Sequence, residues 1–429
     1  MQYISTRGET EPVGFREALF TGLAPDGGLF MPESIPRLDA EIFTGERSFA
    51  ELAAMMIHPF IGEEIEQADL LDIAESAFSF PVPLVPLGDG VQILELFHGP
   101  TLAFKDFAAR FMALAMQHFL EQDGEHLTIL VATSGDTGGA VADAFHMLDG
   151  ISVVVLYPAG RVSAIQRAQL TTLGGNVTVL EVDGSFDDCQ RMVKQVFRDD
   201  ELHASRRLSS ANSINVGRLL PQSVYYAWAW KQAGGDQPVV FSVPCGNFGN
   251  LTAGILAARM GLPVERFIAA TNANDVFPTF LRGEGFHPRA SEHTLSNAMD
   301  VGSPSNLDRM RTLFGDDVGA MREHISSWSF TDDETAQAIQ RTYSEHGYLV
   351  DPHTAVGLLG LERHLDSTDG EAGIVLSTAH PAKFSDILVE IIDEAIPLPQ
   401  SLTHSMGLEK RFHEMPADSS ALKHFLLKS

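Results

Sequence analysis

The chain has 429 residues, with 57 Asp and Glu against 29 Lys and Arg, so its formal net charge is -28 at pH 7. This length predicts two or three domains of roughly 100–200 residues each, and a content of 44% hydrophobic residues excludes wholesale disorder. Because so negative a surface repels phosphate backbones and anionic lipids, the composition argues against a partner that is nucleic acid or a membrane surface.

The cysteine content and the lack of long apolar runs indicate in which cellular compartment the protein is found. Only Cys189 and Cys245 are present, which is too few for a disulfide framework or a cysteine-rich zinc site. The start, MQYISTRGETEP, lacks the basic end and the apolar stretch of a signal peptide. No apolar run approaches the roughly 18 residues that a membrane helix requires. We therefore predict a soluble, cytoplasmic protein.

Residues 1–90 are predicted to form an N-terminal mixed α/β domain. Helical patterns lie near 48–58 and 63–77, with Pro and Gly between them. Residues 80–86 read FPVPLVP, and each Pro disfavours helix at the residue before it. We expect an extended connection there and a domain boundary near residue 90.

Apolar, β-rich runs alternate with amphipathic helical patterns from residue 91 to about residue 395. Such alternation predicts an α/β fold with parallel sheets covered on both faces. We expect two doubly wound units with a cleft between them, residues 91–215 and 216–395, and a C-terminal tail, residues 396–429. The predicted strands are 91–97, 127–132, 151–157, 177–182, 239–243, 267–271 and 373–377. The predicted helices are 107–120, 139–148, 162–173, 187–197, 216–233, 251–260, 305–314, 332–346 and 353–365.

Several common catalytic motifs are absent from the sequence. There is no GxxxxGK[ST] and no GxGxxG after a strand, which argues against a P-loop or a dinucleotide site. HExxH and CxxC are missing and the 16 His residues show no metal-ligand spacing, so we expect no metal site. GxSxG, the nucleophile elbow of serine hydrolases, is missing as well.

Two glycine-bearing loops stand at predicted strand-to-helix junctions. Residues 132–139 read ATSGDTGG and residues 244–250 read PCGNFGN. Glycine lets backbone N–H groups approach a ligand, and the following helix N-terminus favours an anion. Each loop alone is equally explained by ordinary turn chemistry. Two such loops at carboxyl ends of strands, one in each unit, favour a site in the crevice between the units.

Lys105 is the most informative of the seven lysines. It follows a predicted strand and precedes an apolar helix, in HGPTLAFKDF (98–107). A lysine among apolar neighbours tends to have a lowered pKa, which suits an amine that forms a Schiff base. The alternative is a lysine at a helix start that extends to solvent and pairs with Asp106 or Asp143. Context alone leaves both possibilities open.

Four motifs together resemble one family. HGPTLAFKDF (98–107), TSGDTG (133–138), SANSINVGR (210–218) and CGNFGN (245–250) are similar to the threonine synthases, pyridoxal-phosphate enzymes of the tryptophan-synthase-β-like fold, fold-type II. GLAPDGGLFMPESIP (22–36) and STAHPAKF (377–384) extend the likeness over nearly the whole chain. It is greatest for the longer bacterial and fungal branch, which has an extra N-terminal domain and suggests a monomer.

The resemblance implies roles for residues around the cofactor, pyridoxal 5'-phosphate. Lys105 is expected to form the Schiff base with it, and a neutral hydroxyl to face the pyridine nitrogen. An ionised Asp136 beside the phenolate of the ring would repel it unless a proton is shared. The residues implied in cofactor binding are Lys105, Asp136, Gly246, Asn247, Phe248, Gly249, Asn250 and, as the hydroxyl, Thr378.

The resemblance also implies the substrate and the reaction. Ser134 and Thr137 are expected at the substrate carboxylate, and Asn212, Ser213 and Arg218 at the phosphate of O-phospho-L-homoserine. Arg presents a planar fork to phosphate oxygens, although Arg218 could also be a surface ion pair. The implied reaction is a β,γ-replacement that yields L-threonine and phosphate, with Lys105 moving protons. Alternatives are a serine/threonine dehydratase and a catalytically silent relative that keeps the fold. Lys383 is a third candidate cation for the cleft.

Overall fold

The computed structural model describes residues 1–124, 126–368 and 372–428. Its strands form a two-stranded, a six-stranded and a five-stranded sheet, and helices cover both larger sheets. The α/β fold with parallel sheets that the sequence predicts is thus confirmed. Within the described ranges, no helix combines the length and the apolar character needed to cross a membrane.

The N-terminal region consists of short helices beside a small antiparallel sheet. Its elements are β1 (Tyr3–Ser5), α1 (Phe15–Thr21), β2 (Phe30–Pro32), α2 (Ala40–Thr44), α3 (Phe49–Ile61), a 3-10 turn (Gly62–Glu64) and α4 (Gln67–Ala77). Ser48 and Glu51 form a capping box that starts α3. β1 pairs with β2.

The middle region alternates between strands and helices, as the sequence pattern predicts. Its elements are β3 (Leu84–Gly88), β4 (Val91–Glu95), α5 (Lys105–Asp123), β5 (Leu127–Ala132), α6 (Asp136–Phe145), β6 (Ile151–Pro158), α7 (Ala164–Thr171), β7 (Val177–Asp183), α8 (Phe186–Val196), α9 (Asp200–Ser205) and β8 (Arg207–Ser210).

The last region begins with a 3-10 turn (Val216–Arg218) that leads into helix α10. Its elements up to residue 299 are α10 (Gln222–Gln232), β9 (Val239–Pro244), α11 (Gly249–Met260), β10 (Val264–Thr271), α12 (Val276–Thr279), a π-helical turn (Phe280–Glu284) and a 3-10 turn (Asn297–Met299). From residue 307 they are α13 (Leu307–Leu313), α14 (Val318–His324), β11 (Ile325–Ser329), α15 (Asp332–His346), α16 (Pro352–Leu365), β12 (Gly373–Ser377), a 3-10 turn (Pro381–Phe384), α17 (Ser385–Ile392), α18 (Gln400–Gly407), β13 (His413–Pro416) and α19 (Ser419–Lys428).

The six-stranded sheet has the order β11-β10-β9-β12-β4-β3. All neighbours are parallel except β3, which is antiparallel to β4. The carboxyl ends of β9, β12 and β4 therefore lie side by side at one edge. β4 belongs to this sheet because Ile93 pairs opposite Val375 of β12, although the unit predicted from 91 to 215 grouped it with β5–β7. The domain boundaries stay a prediction.

The five-stranded sheet is parallel throughout, in the order β13-β7-β6-β5-β8. β5 is buried along its whole length, as its nearly continuous apolar sequence, interrupted only by Thr128, predicts. The C-terminal tail contributes to this sheet: Met415 of β13 pairs opposite Val182, and Leu422 and Leu426 of α19 join its core.

All seven predicted strands are present, whereas one predicted helix is divided. The pattern over residues 216–233 predicts one helix, but the chain forms the 3-10 turn and then α10, with Pro221 at the N-cap of α10. Pro lacks an N–H and its ring clashes with the preceding turn, so it ends one helical segment and begins another. The sequence does not predict β1, β2, β3, β8, β11 or β13: these strands have three to five residues, and β8, β11 and β13 (RLSS, ISSWS and HEMP) lack the apolar run by which the equally short β4 and β12 are recognised.

Aromatic side chains join the N-terminal region to the helix that carries Lys105. The ring of Phe49 lies 5.6 Å from that of Phe107 in α5, and Phe107 lies 5.5 Å from Tyr225 in α10. All three belong to the largest hydrophobic core. Aromatic pairs at this spacing add about 0.5–1.5 kcal/mol each to their area burial. The N-terminal end of α5 is therefore packed between the N-terminal region and α10.

Arg309 is a fully buried cation that joins separate segments. It donates to the carbonyl oxygens of Phe30, Ser213 and Ile214 at 3.2, 3.0 and 2.6 Å, and to the side chain of Asn306 at 2.7 Å. Burial lowers its pKa to about 9. The guanidinium thereby fixes the segment after β8 against β2.

We predict that Arg309→Lys destabilises the fold by about 2–4 kcal/mol, because a single ammonium cannot reach carbonyls in three directions. The free energy of unfolding in urea measures the effect. Arg311→Lys is the matched control on the same helix, since Arg311 is 42% exposed in a surface pair with Asp316. Its effect should stay within about 0.5 kcal/mol. Equal effects for the two variants would contradict the assignment.

Candidate active site

Loops from both large sheets converge on one cavity of about 1460 Å³. From the six-stranded sheet come the segments after β4, β9 and β12, and from the five-stranded sheet those after β5 and β8. The carboxyl ends of parallel strands are where α/β folds bind ligands. The cavity is lined by every residue predicted for the site: Lys105, Ser134, Asp136, Thr137, Asn212, Ser213, Arg218, Gly246, Asn247, Phe248, Gly249, Asn250 and Thr378.

Backbone pairing positions Lys105. In the loop before α5, Ala103 forms an antiparallel bridge with Ala379. The N–H of Phe104 donates to the carbonyl of Thr378 at 2.9 Å, and the N–H of His380 donates to that of Leu102 at 3.0 Å. Lys105, the first residue of α5, is thereby held beside Thr378, with 16% of its side-chain surface exposed in the cavity.

The Lys105 amine lies in a buried environment with charges of both signs. Burial lowers its pKa, and the cations Lys383 and Arg218 act in the same direction, against the opposing effect of Asp136. Nζ lies 3.8 Å from Oδ2 of Asp136. Lys105 therefore pairs with Asp136. It does not pair with Asp106 or Asp143, which are the partners expected for a lysine that extends to solvent.

Asp106 follows Lys105 and faces the loop instead of the cavity. It is 1% exposed and accepts hydrogen bonds from the N–H and the hydroxyl of Thr101, the former at 2.9 Å. Burial raises its pKa to about 6, although the bonds from Thr101 oppose the shift. Asp106 therefore stabilises the turn that presents Lys105.

The TSGDTG loop turns sharply between β5 and α6. Gly135 has φ of 143°, a conformation that L side chains rarely adopt. The Thr133 hydroxyl accepts from the N–H groups of Gly135 and Gly138 at 2.9 and 2.8 Å. This turn leaves Ser134 and Thr137 lining the cavity.

Asp136 is the first residue of α6, and its carboxylate is almost fully buried. Burial would raise its pKa, but Lys383 and Lys105 outweigh burial and hold the pKa below its usual range. Lys383 Nζ lies 2.8 Å from Oδ1, and the Gln166 amide donates to the same oxygen at 3.0 Å. Asp136 is therefore an ionised carboxylate with partners already in place.

The loop after β9 forms an anion cradle. Phe248 has φ of 61°, and α11, a helix of 12 residues, begins at Gly249. In the described chain the backbone N–H groups of Gly246, Asn247 and Phe248 donate no hydrogen bond. A Cβ at Gly246 would approach the Cα of Met299 to 2.8 Å. Free amides at a helix N-terminus are a site for phosphate.

Two asparagines fix the shape of this cradle. Asn247 donates to the Ser213 hydroxyl at 2.5 Å and accepts from the N–H of Ser305 at 2.6 Å. Asn250 accepts from the hydroxyls of Tyr225 and Tyr226, both at 2.7 Å. Asn247 thereby ties the cradle directly to the segment after β8.

Arg218 is the buried cation predicted for the substrate phosphate. It is 3% exposed, and one of its terminal nitrogens donates to the carbonyl of Ala211 at 2.6 Å. Burial lowers its pKa to about 10, so it stays charged at neutral pH. The surface ion pair considered as an alternative is thus wrong. Asn212, nearby, donates to the carbonyl of Ala132 at 2.9 Å.

Three residues that sequence reasoning did not assign complete the site. Lys383, Gln166 and Thr101 surround Asp136 and the lysine loop, and Lys383 donates to the carbonyl of Thr101 at 2.8 Å. Lys383 was recognised only as a possible cation; its position in STAHPAKF was the available signal. Within the described ranges, His, Cys, Asp and Glu form no group of three or more that could hold a metal ion.

Known proteins identify the class. A family model described as pyridoxal-phosphate dependent enzyme matches residues 83–378, so the chain belongs to that class of enzymes. Models described as threonine synthase N terminus and threonine synthase, C-terminal, match residues 2–78 and 354–426. The chain is 43% identical to the threonine synthase of Escherichia coli over 100% of this chain and 99% of that one, and 44% identical to that of Serratia marcescens with the same coverage. The chain is therefore a member of the threonine synthase family.

Solved structures agree with this membership. The threonine synthase of Escherichia coli superposes with a TM-score of 0.93 at 42% identity, covering 100% of both chains. The pyridoxal-phosphate-bound threonine synthase of Brucella melitensis superposes with a TM-score of 0.93 at 39% identity, covering 99% of this chain and 98% of that chain. The predicted class, fold type and cofactor are thereby confirmed.

The cavity fits pyridoxal phosphate on its own chemistry. Two buried donors, Nε of Arg218 and Nδ2 of Asn250, have no hydrogen-bond partner in the described part of the chain. Buried donors without partners are costly, at about 1–3 kcal/mol each, and are satisfied by an incoming anion. With the free amides of the cradle and the Lys105 amine, the cavity offers an amine and several anion-binding groups.

We predict that Asp106→Asn removes a pH-dependent contribution to stability. Because folding raises the pKa of this carboxyl from 3.8 to about 6, its contribution is present below pH 4 and is lost as the pH rises through 6, by roughly 3 kcal/mol. Unfolding in urea at pH 4 and pH 7 should show the variant gaining about this much relative to the native chain. Asp72→Asn, an exposed carboxyl of α4, is the control, and parallel behaviour of the two variants would contradict the prediction.

Proposed function

We propose that the protein converts O-phospho-L-homoserine and water to L-threonine and phosphate, the last step of threonine biosynthesis. The observation that carries this proposal is one cavity with an amine and two distinct anion-binding regions. The amine is that of Lys105, and the regions are the amide cradle at Gly246–Asn250 and the buried guanidinium of Arg218. A phosphorylated cofactor and a phosphorylated substrate together require both regions.

The first region and Lys105 suit the cofactor. The cofactor phosphate would be held by the cradle amides, those of Gly246, Asn247, Phe248, Gly249 and Asn250. The Lys105 amine would bind the aldehyde carbon of the cofactor. The Thr378 hydroxyl would face the ring nitrogen, since Thr378 adjoins the lysine loop. When bound, pyridoxal phosphate supplies a sink for negative charge that develops next to the substrate amine.

The second region suits the substrate. Asn212, Ser213 and Arg218 lie on one segment, and Ser213 is linked to the cradle by Asn247. A guanidinium binds phosphate through paired hydrogen bonds, which a neutral leaving group does not need. Ser134 and Thr137 at the N-terminal end of α6 would bind the substrate carboxylate.

Lys105 would move the protons of the reaction. An amine whose pKa is lowered by burial gives up its proton more readily than a free lysine, which suits a base. It would take the proton from the α-carbon of the bound substrate and help to move a proton from the β-carbon to the γ-carbon, from which phosphate leaves. Water would then add at the β-carbon with a phosphate still held at Arg218 as its base, and Lys105 would return a proton to the α-carbon.

A dehydratase of hydroxylated amino acids is the alternative. A serine ammonia-lyase of Rhizomucor miehei is 14% identical with a TM-score of 0.57, which shows a shared fold alone. The unpartnered guanidinium nitrogen of Arg218 favours the phosphorylated substrate. The intact Lys105 amine and cradle argue against a silent relative.

We also propose that the protein acts as a monomer in the cytoplasm without a nucleic-acid partner. Support against a nucleic-acid partner comes from the net charge of -28, which disfavours phosphate backbones, and the monomer rests on the resemblance to the longer bacterial and fungal branch. Sedimentation at micromolar concentration tests the oligomeric state.

We predict that Lys105→Ala abolishes phosphate release from O-phospho-L-homoserine, because the variant lacks both the attachment point and the proton carrier. The native protein should absorb in the visible range, and borohydride should fix the cofactor to residue 105. Lys410→Ala, at an exposed residue of the C-terminal tail that does not line the cavity, should retain native activity. Phosphate release by Lys105→Ala at more than one hundredth of the native rate, or threonine deamination by the native protein, would contradict the proposal.

We predict that Arg218→Met lowers kcat/KM for O-phospho-L-homoserine about 10²–10³-fold, since a buried charge-assisted contact to phosphate is lost. Binding of L-threonine, which has no phosphate, should change much less. Arg282→Met, an exposed surface pair, should be neutral. An equal loss of affinity for both ligands would assign Arg218 a structural role only.

A further inference from the structure

Lys383 is a buried ammonium that no step of the proposed reaction uses. It lies in the 3-10 turn Pro381–Phe384 after β12 and has no exposed surface. It donates to the carbonyl of Thr101 at 2.8 Å and pairs with Oδ1 of Asp136 at 2.8 Å. A fully buried lysine is rarely retained unless a partner offsets its desolvation. Among the residues that the structure describes, Asp136 is also the only ion-pair partner of Lys105.

Two lysines thus share one carboxylate, and they share it unequally. Lys383 is 2.8 Å from Oδ1, whereas Lys105 is 3.8 Å from Oδ2. The nearer oxygen also accepts from Gln166 at 3.0 Å. At 2.8 Å an ammonium and a carboxylate are in direct, charge-assisted contact, while 3.8 Å is beyond a normal hydrogen bond. Lys105 consequently faces a pair that is already close to neutral.

We propose that Lys383 is a positioning residue for Lys105: it binds Asp136, so that this carboxylate is not free to hold the Lys105 amine as a salt-bridged ammonium. The inference rests on the proposed role of Lys105. It adds a separate role for each lysine: Lys105 of HGPTLAFKDF reacts, and Lys383 of STAHPAKF neutralises the charge of Asp136.

The surrounding charges support this assignment. The groups whose fields reach the Lys105 amine come from α6, the turn after β12, the turn after β8 and the start of α16; they are Asp136, Lys383, Arg218 and Asp351. Of these, Asp136 favours the charged amine most strongly, and Lys383 opposes it. Removal of Lys383 would leave Asp136 with Lys105 as its nearest cation.

Labelling of Lys105 tests the proposal without measuring catalysis. The full-length protein, freed of pyridoxal phosphate, is treated with trace acetic anhydride at a series of pH values, and mass spectrometry follows acetylation at residue 105. An opposite charge within about 4–6 Å moves a pKa by about 1–3 units. Lys383→Met should therefore raise the labelling midpoint by about one pH unit or more, and lower labelling roughly tenfold below the midpoint.

Two further variants separate charge from structure. Asp136→Asn should lower the midpoint, and the double variant Lys383→Met with Asp136→Asn should return it toward the native value. Lys231→Met is the matched control, because Lys231 also donates to backbone carbonyls, those of Gly45 and Arg47, but at the C-terminal end of α10 and against the N-terminal region. It should leave the midpoint unchanged.

If Lys383→Met does not fold, Lys383→Gln replaces it, because Gln keeps a donor for the Thr101 carbonyl but carries no charge. In the Asp136→Asn background the same change removes a cation that has no carboxylate to bind, so the midpoint should rise by less than it does in the native background. Unchanged midpoints in both backgrounds would overturn the proposal and leave Lys383 a structural link between Thr101 and Asp136. Protection of native Lys105 by added pyridoxal phosphate is a separate result: its absence would overturn the proposed role of Lys105 itself.

Discussion

The short backbone pairing between the lysine loop and the turn after β12 determines the geometry of the whole site. The bridge from Ala103 to Ala379 and its two flanking hydrogen bonds make β4 and β12 continue as one unit beyond the sheet. This pairing sets Lys105 beside Thr378. It also directs the chain so that Lys383, five residues after Thr378, reaches Asp136 in the other sheet. A few backbone hydrogen bonds therefore align the Lys105 amine and bring Lys383 within reach of Asp136.

Because the net charge of the protein is negative, the binding of anionic ligands must depend on positive groups placed locally in the cavity. A molecule with a charge of -28 repels a phosphorylated cofactor and a phosphorylated substrate at long range. Attraction must come from inside the cavity, where solvent screening is weak and one guanidinium or a few amides act strongly. Arg218 and Lys105, the cations that line the cavity at this point, are buried or nearly so. The acidic surface and the cationic interior thus have separate functions, solubility outside and selectivity inside.

Local sequence signals predicted most of this architecture, and the exceptions have a common cause. Strands with continuous apolar runs, such as β5, and glycine turns after strands are encoded by adjacent residues. The placement of β4 is not, because its neighbour β12 is nearly 280 residues away in the chain. The same holds for β13, which contributes an edge strand from the tail. Pairing partners depend on the packing of the complete fold, which no local pattern contains.

The site repeats this distinction at the level of single side chains. Every residue that the motifs assign to the site lines the cavity, since each motif forms one of the loops around it. They did not predict that Lys383 and Gln166 both bind Asp136, because these contacts join three separate segments of the chain: the starts of α6 and α7 and the turn after β12. The burial of Arg309 beneath the segment of Ser213 is a further contact of this kind. Residues that support a site from other segments are therefore visible only once the fold is known.

Asp136 shows why such supporting residues matter. Considered alone, an ionised aspartate near the phenolate of the cofactor ring is unfavourable, and an asparagine would be the simpler choice. The contacts of Lys383 and Gln166 change this balance, because they occupy Oδ1 and neutralise most of the charge while the carboxylate stays ionised. An Asp–Lys pair then has nearly the net charge of a neutral amide. It also joins the first turns of α6 and α7 to the turn after β12. The aspartate at position 136 and the lysine at position 383 are therefore best understood as one functional unit.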